Sequence, residues 1–207
     1  MYEPIQLSYD FSSFTSALSE RNLKNHYEGH YLRYVNQLNQ LLISQNFSFN
    51  YEPSLLYRNI DAFPIAVRDD ILFQTGGTLN HELYFQSITP TKIEVPEPLK
   101  SKLTEKYGGI GEFEDRLFSL AAELPGSGYT FLAVNNNNDL ILLNLANQDS
   151  PYMYGMIPIL AFDVWEHSYY LDYLNHRAEY LEKMIPFLNY QHMNRLYEQV
   201  LKKHRTI

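Results

Sequence analysis

"FDVWEHSYYLDY", residues 162–173, sets Asp163, the only tryptophan (Trp165), Glu166 and His167 within five positions. The apolar run Ile157–Phe162 comes directly before it. That run suits a buried strand, and strand ends are where chemistry is often mounted. Two acids beside a histidine at such a place cost about several kcal/mol unless their charge is compensated. A metal ion would compensate it.

Upstream, the first half of the chain reads helical. From Ser13 through Ile43, apolar residues recur mostly at spacings of three and four, with one step of five: Leu18, Leu23, Tyr27, Tyr31, Tyr34, Leu38, Leu41. A second helical stretch runs from about Ile65 to Phe85 and contains "GGTLNHELYF". Its paired glycines weaken the helix but let another backbone or a bulky side chain approach closely. The loop 45–54, rich in Asn, Ser and Pro, joins the two into a helical hairpin.

The segment "TPTKIEVPEP" (89–98) carries three prolines and no helical period, so it reads as a linker. Two short helices follow, over roughly 98–107 and 111–123. "YTFLAVNNNNDLILLNLAN" shows two strand-like runs around four asparagines, a β-hairpin signal. Ile157–Phe162 supplies a third strand, and the pattern is helical again from Tyr169, broken near Pro186. The expected class is α+β: helices first, then an α/β unit with three antiparallel strands.

The chain has 207 residues, 45% hydrophobic and 19% charged, which fits a folded soluble protein. Sixteen basic against 24 acidic residues give a net charge of −8, which argues against a nucleic-acid partner. Cysteine is absent, which excludes disulfides, thiolate metal sites and a cysteine nucleophile. A reducing, cytoplasmic location is expected. No signal peptide is expected at "MYEPIQLSYDF", and no apolar run is long enough for a membrane span.

His26, His30 and Tyr34 follow one another at four-residue steps, each about 40° round an α-helix, and so share a face. An isolated pair of this kind more often serves structure than a metal, and a lone His81 is more often a satisfied core histidine. Asp163 and His167 add a carboxylate and an imidazole. Three or four N/O donors from separate segments suit zinc, iron or manganese, and spacing does not choose among them.

"NHYEGHYLRYVNQLN", "GGTLNHELYF", "GSGYTFL", "ANQDSP" and "DVWEHSYYLDYLNHR" occur in the order and spacing of the iron/manganese superoxide dismutases. The chain resembles that family over nearly its whole length. The resemblance implies an N-terminal antiparallel α-hairpin domain (1–90) and a C-terminal α/β domain (91–207), with the metal between them. It implies His26, His81, Asp163 and His167 as ligands of one manganese or iron ion, with superoxide as substrate. It assigns Tyr34 and His30 to the substrate entrance, Gln148 to the metal-bound solvent, and Arg177 to the channel as an anion attractor.

Glu166 is implied to reach His167 of a second subunit in a homodimer or tetramer. Trp165 would wall the site, and Tyr169 belongs to the same surrounding shell or interface. Gly77 stands where iron enzymes usually carry their glutamine, which together with Gln148 favours manganese. Phe85, Tyr129 and Phe131 replace tryptophans usual in the family, Thr78 replaces a common histidine, and Ala161–Phe162 replaces a glycine and an aliphatic residue. Two other classes compete: a non-catalytic structural relative, whose mark would be lost ligands, and a different metalloenzyme, such as a zinc hydrolase with HExxH, which does not occur.

Overall fold

A computed structural model describes residues 1–205. The chain opens with a 3-10 turn at Phe11–Phe14, then the short helix α1 (Glu20–Lys24). The expected continuous helix from Ser13 is therefore interrupted. Ser19 caps α1, its hydroxyl accepting from Asn22 N–H at 3.1 Å, and so fixes where helix begins. A π-helical stretch, Asn25–Tyr31, follows and runs into α2 (Leu32–Ser44). Leu32 N–H bonds to Tyr27 O, five residues back, so each residue of this wider turn rotates less about the axis.

After the 45–64 loop comes α3 (Ile65–Ser87), which lies against α2 as the second arm of the hairpin. The C-terminal half of α3 is buried nearly all round, at Gly76, Gly77, Asn80, His81, Tyr84 and Phe85. Such a helix must carry polar side chains only where partners await them.

The linker leads into α4 (Leu99–Tyr107) and α5 (Ile110–Glu123), close to the expected bounds. Three antiparallel strands follow, β1 (Gly128–Val134), β2 (Leu140–Ala146) and β3 (Ile157–Asp163), in the order β2-β1-β3. The asparagine run is the β1–β2 turn, where Asn135 Oδ1 accepts from the N–H groups of Asn137 and Asp139, both at 2.9 Å. Central β1 is buried throughout, as a middle strand covered on both faces must be.

Register explains two of the unusual residues. Tyr129 pairs with Asp163 and Phe131 with Ala161, so a large ring faces a small side chain beside the acid. Ser87 Oγ accepts from Ala161 N–H at 3.2 Å, tying the end of α3 to β3.

α6 (Glu166–Tyr173), α7 (Arg177–Met184) and α8 (Tyr190–Arg205) complete the fold, with Pro186 in a 3-10 turn between the last two. Helix thus begins at Glu166 rather than Tyr169, and His167 rides on its first turn. One large core joins both halves, from Phe14 and Tyr31 through Phe85, Tyr129 and Phe162 to Tyr180. Each buried aromatic there contributes about 1.5–3 kcal/mol of transfer free energy. No helix among the described residues is long and apolar enough to cross a membrane.

Candidate metal centre

Four elements converge on one point: the π-helical stretch with His26, α3 with His81, the end of β3 with Asp163, and α6 with His167. One donor atom from each lies within 4.8 Å of the others. Asp163 Oδ2 stands 3.1 Å from His26 Nε2, 3.4 Å from His167 Nε2 and 3.9 Å from His81 Nε2. The Nε2 atoms of His81 and His167 are 3.3 Å apart. Metal–ligand bonds of about 2.0–2.2 Å place neighbouring donors about 3.0–3.7 Å apart, so the four fit one ion.

The orientation of the donors supports that fit. His81 Nδ1 donates to Gly77 O at 2.7 Å, which leaves the Nε2 lone pair facing the cluster. Asp163 Oδ1 accepts from Trp165 N–H at 2.8 Å, which turns Oδ2 inward. Asp163, His81 and His26 are at most 1% exposed. Burial opposes ionisation of Asp163, but His167 and His26 outweigh it and hold the carboxyl far below the usual range. Burial holds His81 well down and also lowers His26. As metal ligands the three imidazoles must be neutral, and with the one carboxylate the donor set then carries a net −1 that asks for a cation.

The wider turn keeps His26 and Tyr34 aimed at the same place, their rings 5.1 Å and 5.0 Å from the His81 ring. Between them His30 stacks on His167 at 4.1 Å. Burial, with His167 and His26 adding, holds His30 down to about 4, so it is neutral at physiological pH. Gln148 Nε2 donates to the Tyr34 hydroxyl at 3.2 Å. Burial raises Tyr34, against the Gln148 hydrogen bond, so the phenol keeps its proton.

The paired glycines admit particular groups. A Cβ on Gly76 would lie 1.8 Å from Gln148 O, and one on Gly77 would lie 2.1 Å from Tyr34 Cδ1. One glycine admits a backbone and the other an aromatic ring.

Trp165 stacks on His167 at 5.4 Å and 15°, its indole N–H donating to Asn147 O at 2.9 Å, so it walls the cluster. Glu166 points away; its Oε2 accepts from Ser127 Oγ at 2.6 Å, and its side chain is 42% exposed. Tyr169 and Arg177 both lie in packed surroundings. Tyr169 is 3% exposed and stacks on Tyr180 at 5.2 Å, so its neighbour Tyr170, 44% exposed, is the one facing out. Arg177 spends its guanidinium on Leu124 O (2.5 Å) and Gly126 O (2.6 Å), with Glu166 Oε1 at 4.0 Å. Its charge is tied into the fold rather than offered to an anion.

The departing residues are all buried. Phe85 packs on His26 at 5.0 Å, Phe131 stacks on Tyr129 at 5.7 Å, and Thr78 is 2% exposed. Tyr129 brings a hydroxyl to 3.1 Å from His81 Nδ1, a position that only the β1–β3 register reveals. Asn80 escaped the sequence reading. Its amide donates to Gln148 O at 3.2 Å and Asp149 O at 3.1 Å, holding the glutamine segment, and its place directly before His81 was the available signal.

Residues 1–89 match the family model of the iron/manganese superoxide dismutase alpha-hairpin domain, and residues 95–196 match that of the C-terminal domain. The chain is 32% identical to the manganese superoxide dismutase of Thermus aquaticus, over 93% of this chain and 95% of that one. It is 31% identical to that of Listeria ivanovii, over 95% and 98% of the two chains. It is also 31% identical to manganese superoxide dismutase 3 of Leptolyngbya boryana, over 93% and 81%. Matched in both halves, in order and almost end to end, the chain belongs to the iron/manganese superoxide dismutase family.

Proposed function

We propose that this chain converts two superoxide anions and two protons into dioxygen and hydrogen peroxide. The observation that carries the reading is the convergence of His26, His81, Asp163 and His167. These four side chains would hold a single redox-active ion, which would supply the one-electron chemistry. The surrounding residues move protons and exclude water. Tyr34 accepts from Gln148, which leaves its own O–H free to donate toward a reduced, basic dioxygen species. Neutral His30 and Trp165 close the sides of His167.

Manganese is the proposed metal, with iron as the alternative. Gly77 leaves no volume for a glutamine on α3, because the Tyr34 ring fills it, so the amide must come from Gln148. Residues 1–90 and 91–207 are proposed as the two domains, and the cysteine-free composition supports a cytoplasmic setting. A homodimer is proposed through α6, where Glu166 lies beside exposed Tyr170 (44%), Leu171 (50%) and Leu174 (64%). Single exposed apolar residues are ordinary, but three close together along the end of one helix suit a partner.

The test is to load the metal-free protein with manganese or iron and measure superoxide consumption per bound ion. Activity is expected with manganese, and His81→Ala should lose tight metal retention and activity together. Full activity of metal-depleted His81→Ala protein would end this reading, and iron protein severalfold faster than manganese protein would reverse the metal choice.

A further inference from the structure

Superoxide is an anion, and the chain it must approach carries a net charge of −8. At physiological salt, fields decay over about 8 Å, so only charges near the mouth of the pocket act on the approach. A pocket of about 320 Å³ opens over His30 and Tyr34, lined also by Arg33, Gln37, Phe73 and Gln74. Its inner wall is the His30 ring, stacked on the metal-group His167. Of the six lining residues, only Arg33 carries a permanent charge.

Arg33 sits on the first turn of α2, between His30 and Tyr34 in sequence, with its side chain exposed. Its charge acts on both of those neighbours. No carboxylate lies within ion-pair distance of it among the described residues. Two other arginines are engaged within the fold: Arg68 pairs with Asp61 at 2.5 Å, and Arg177 is bound to main-chain carbonyls beside Glu166. One bare cation at the lip of a concave, partly aromatic pocket focuses its field into that pocket.

We propose that Arg33 is the guiding residue for superoxide: it draws the anion into the pocket above His30 and Tyr34, the task that the fold denies to Arg177. This rests on the dismutase reading. Guidance by a point charge needs the charge and not the shape, so lysine should serve in its place. It should also fade as salt screens the field, whereas a packing role would not.

The experiment compares metal-loaded wild type with Arg33→Lys, Arg33→Gln and Arg33→Glu, following kcat/KM for superoxide as ionic strength rises from about 0.01 to about 0.5 M. At low salt Arg33→Lys should match wild type, Arg33→Gln should fall about threefold, and Arg33→Glu about tenfold. The four curves should converge at high salt. Azide, a small monoanion titrated against the visible absorption of the loaded metal, should bind in the same order. Wild-type protein inactive on superoxide would sink the dismutase reading alone, and the azide series would still test Arg33. Charge-independent rates and azide affinities at low salt would overturn the proposal. So would an Arg33→Gln loss that persists at high salt and that lysine does not rescue.

Discussion

Replacing Gly77 by Ala sets two helices against each other over a single methyl group. The new carbon would lie 2.1 Å from Tyr34 Cδ1, 2.4 Å from Cε1 and 2.5 Å from Cγ. Comfortable carbon contacts lie at about 3.5–4.0 Å, so the ring must move by more than about 1 Å. That shift pulls the hydroxyl away from Gln148 Nε2, now at 3.2 Å. Overpacking of this kind costs about 1–3 kcal/mol and the hydrogen bond about 1 kcal/mol. Alanine returns about 1 kcal/mol of helix propensity. The net expectation is a loss of about 1–3 kcal/mol in urea unfolding of the metal-loaded protein. Gly111→Ala is the control, because a Cβ there meets nothing within 4 Å. It should be neutral or gain up to about 1 kcal/mol. If Gly77→Ala is as stable as Gly111→Ala, the glycine is not there for the ring and the reasoning fails.

Tyr34→Phe removes only the hydroxyl that accepts from Gln148, so metal content should survive while turnover at high superoxide falls; an emptied site would make Tyr34 structural instead. Glu166→Ala should weaken self-association and metal retention together, by about 3–5 kcal/mol if the carboxylate is paired at a dry interface. An unchanged sedimentation profile at normal activity would reject that bridge. Burial, with Glu52 adding, pushes Glu82 from its ordinary 4.5 up to about 7. A carboxyl raised on folding holds its proton more tightly in the folded state, so its share of stability is full below about pH 4.5 and lost as pH rises through about 7. Glu82→Gln should therefore gain about 1–2 kcal/mol near pH 8, a figure reduced for the partly exposed side chain. Parallel stability curves for both proteins between about pH 5.5 and about pH 8.5 would dismiss this.

The three strands were legible because each is a short apolar run bounded by turn residues, and β3 ends on the acid that the opening motif singled out. The hairpin was legible from its period. The break before α1 was not, although Ser19 offered the capping signal and the step from Leu18 to Leu23 is five residues, because apolar residues continue on both sides of it. The wide turn at Asn25–Tyr31 left no mark, since seven residues cannot separate a π from an α period. α6 began earlier than expected because Trp165, in place of a capping serine or aspartate, precedes it. The ligand set came from motif resemblance. Which ring fills Gly77, which carbonyl passes Gly76 and where Tyr129 puts its hydroxyl are facts of pairing register and packing, and local sequence does not encode them.

The π-helical stretch makes the aim of one ligand a question of phase. His26 lies on the near side of the wide turn and Tyr34 beyond it, and both reach the His81 ring. Gly29, exposed within that turn and with open space where a Cβ would go, could be deleted without removing any side-chain contact. Closing the turn to α geometry would then leave seven steps of about 100° between His26 and Tyr34, about 20° short of two full turns, so their common aim survives. His26 would keep its line to Asp163, 137 positions downstream, with the entrance residues in place. A deletion of glycine, touching no ligand and no charge, should leave the site able to hold its ion, and an empty site on metal analysis of that shortened chain would refute the phase argument.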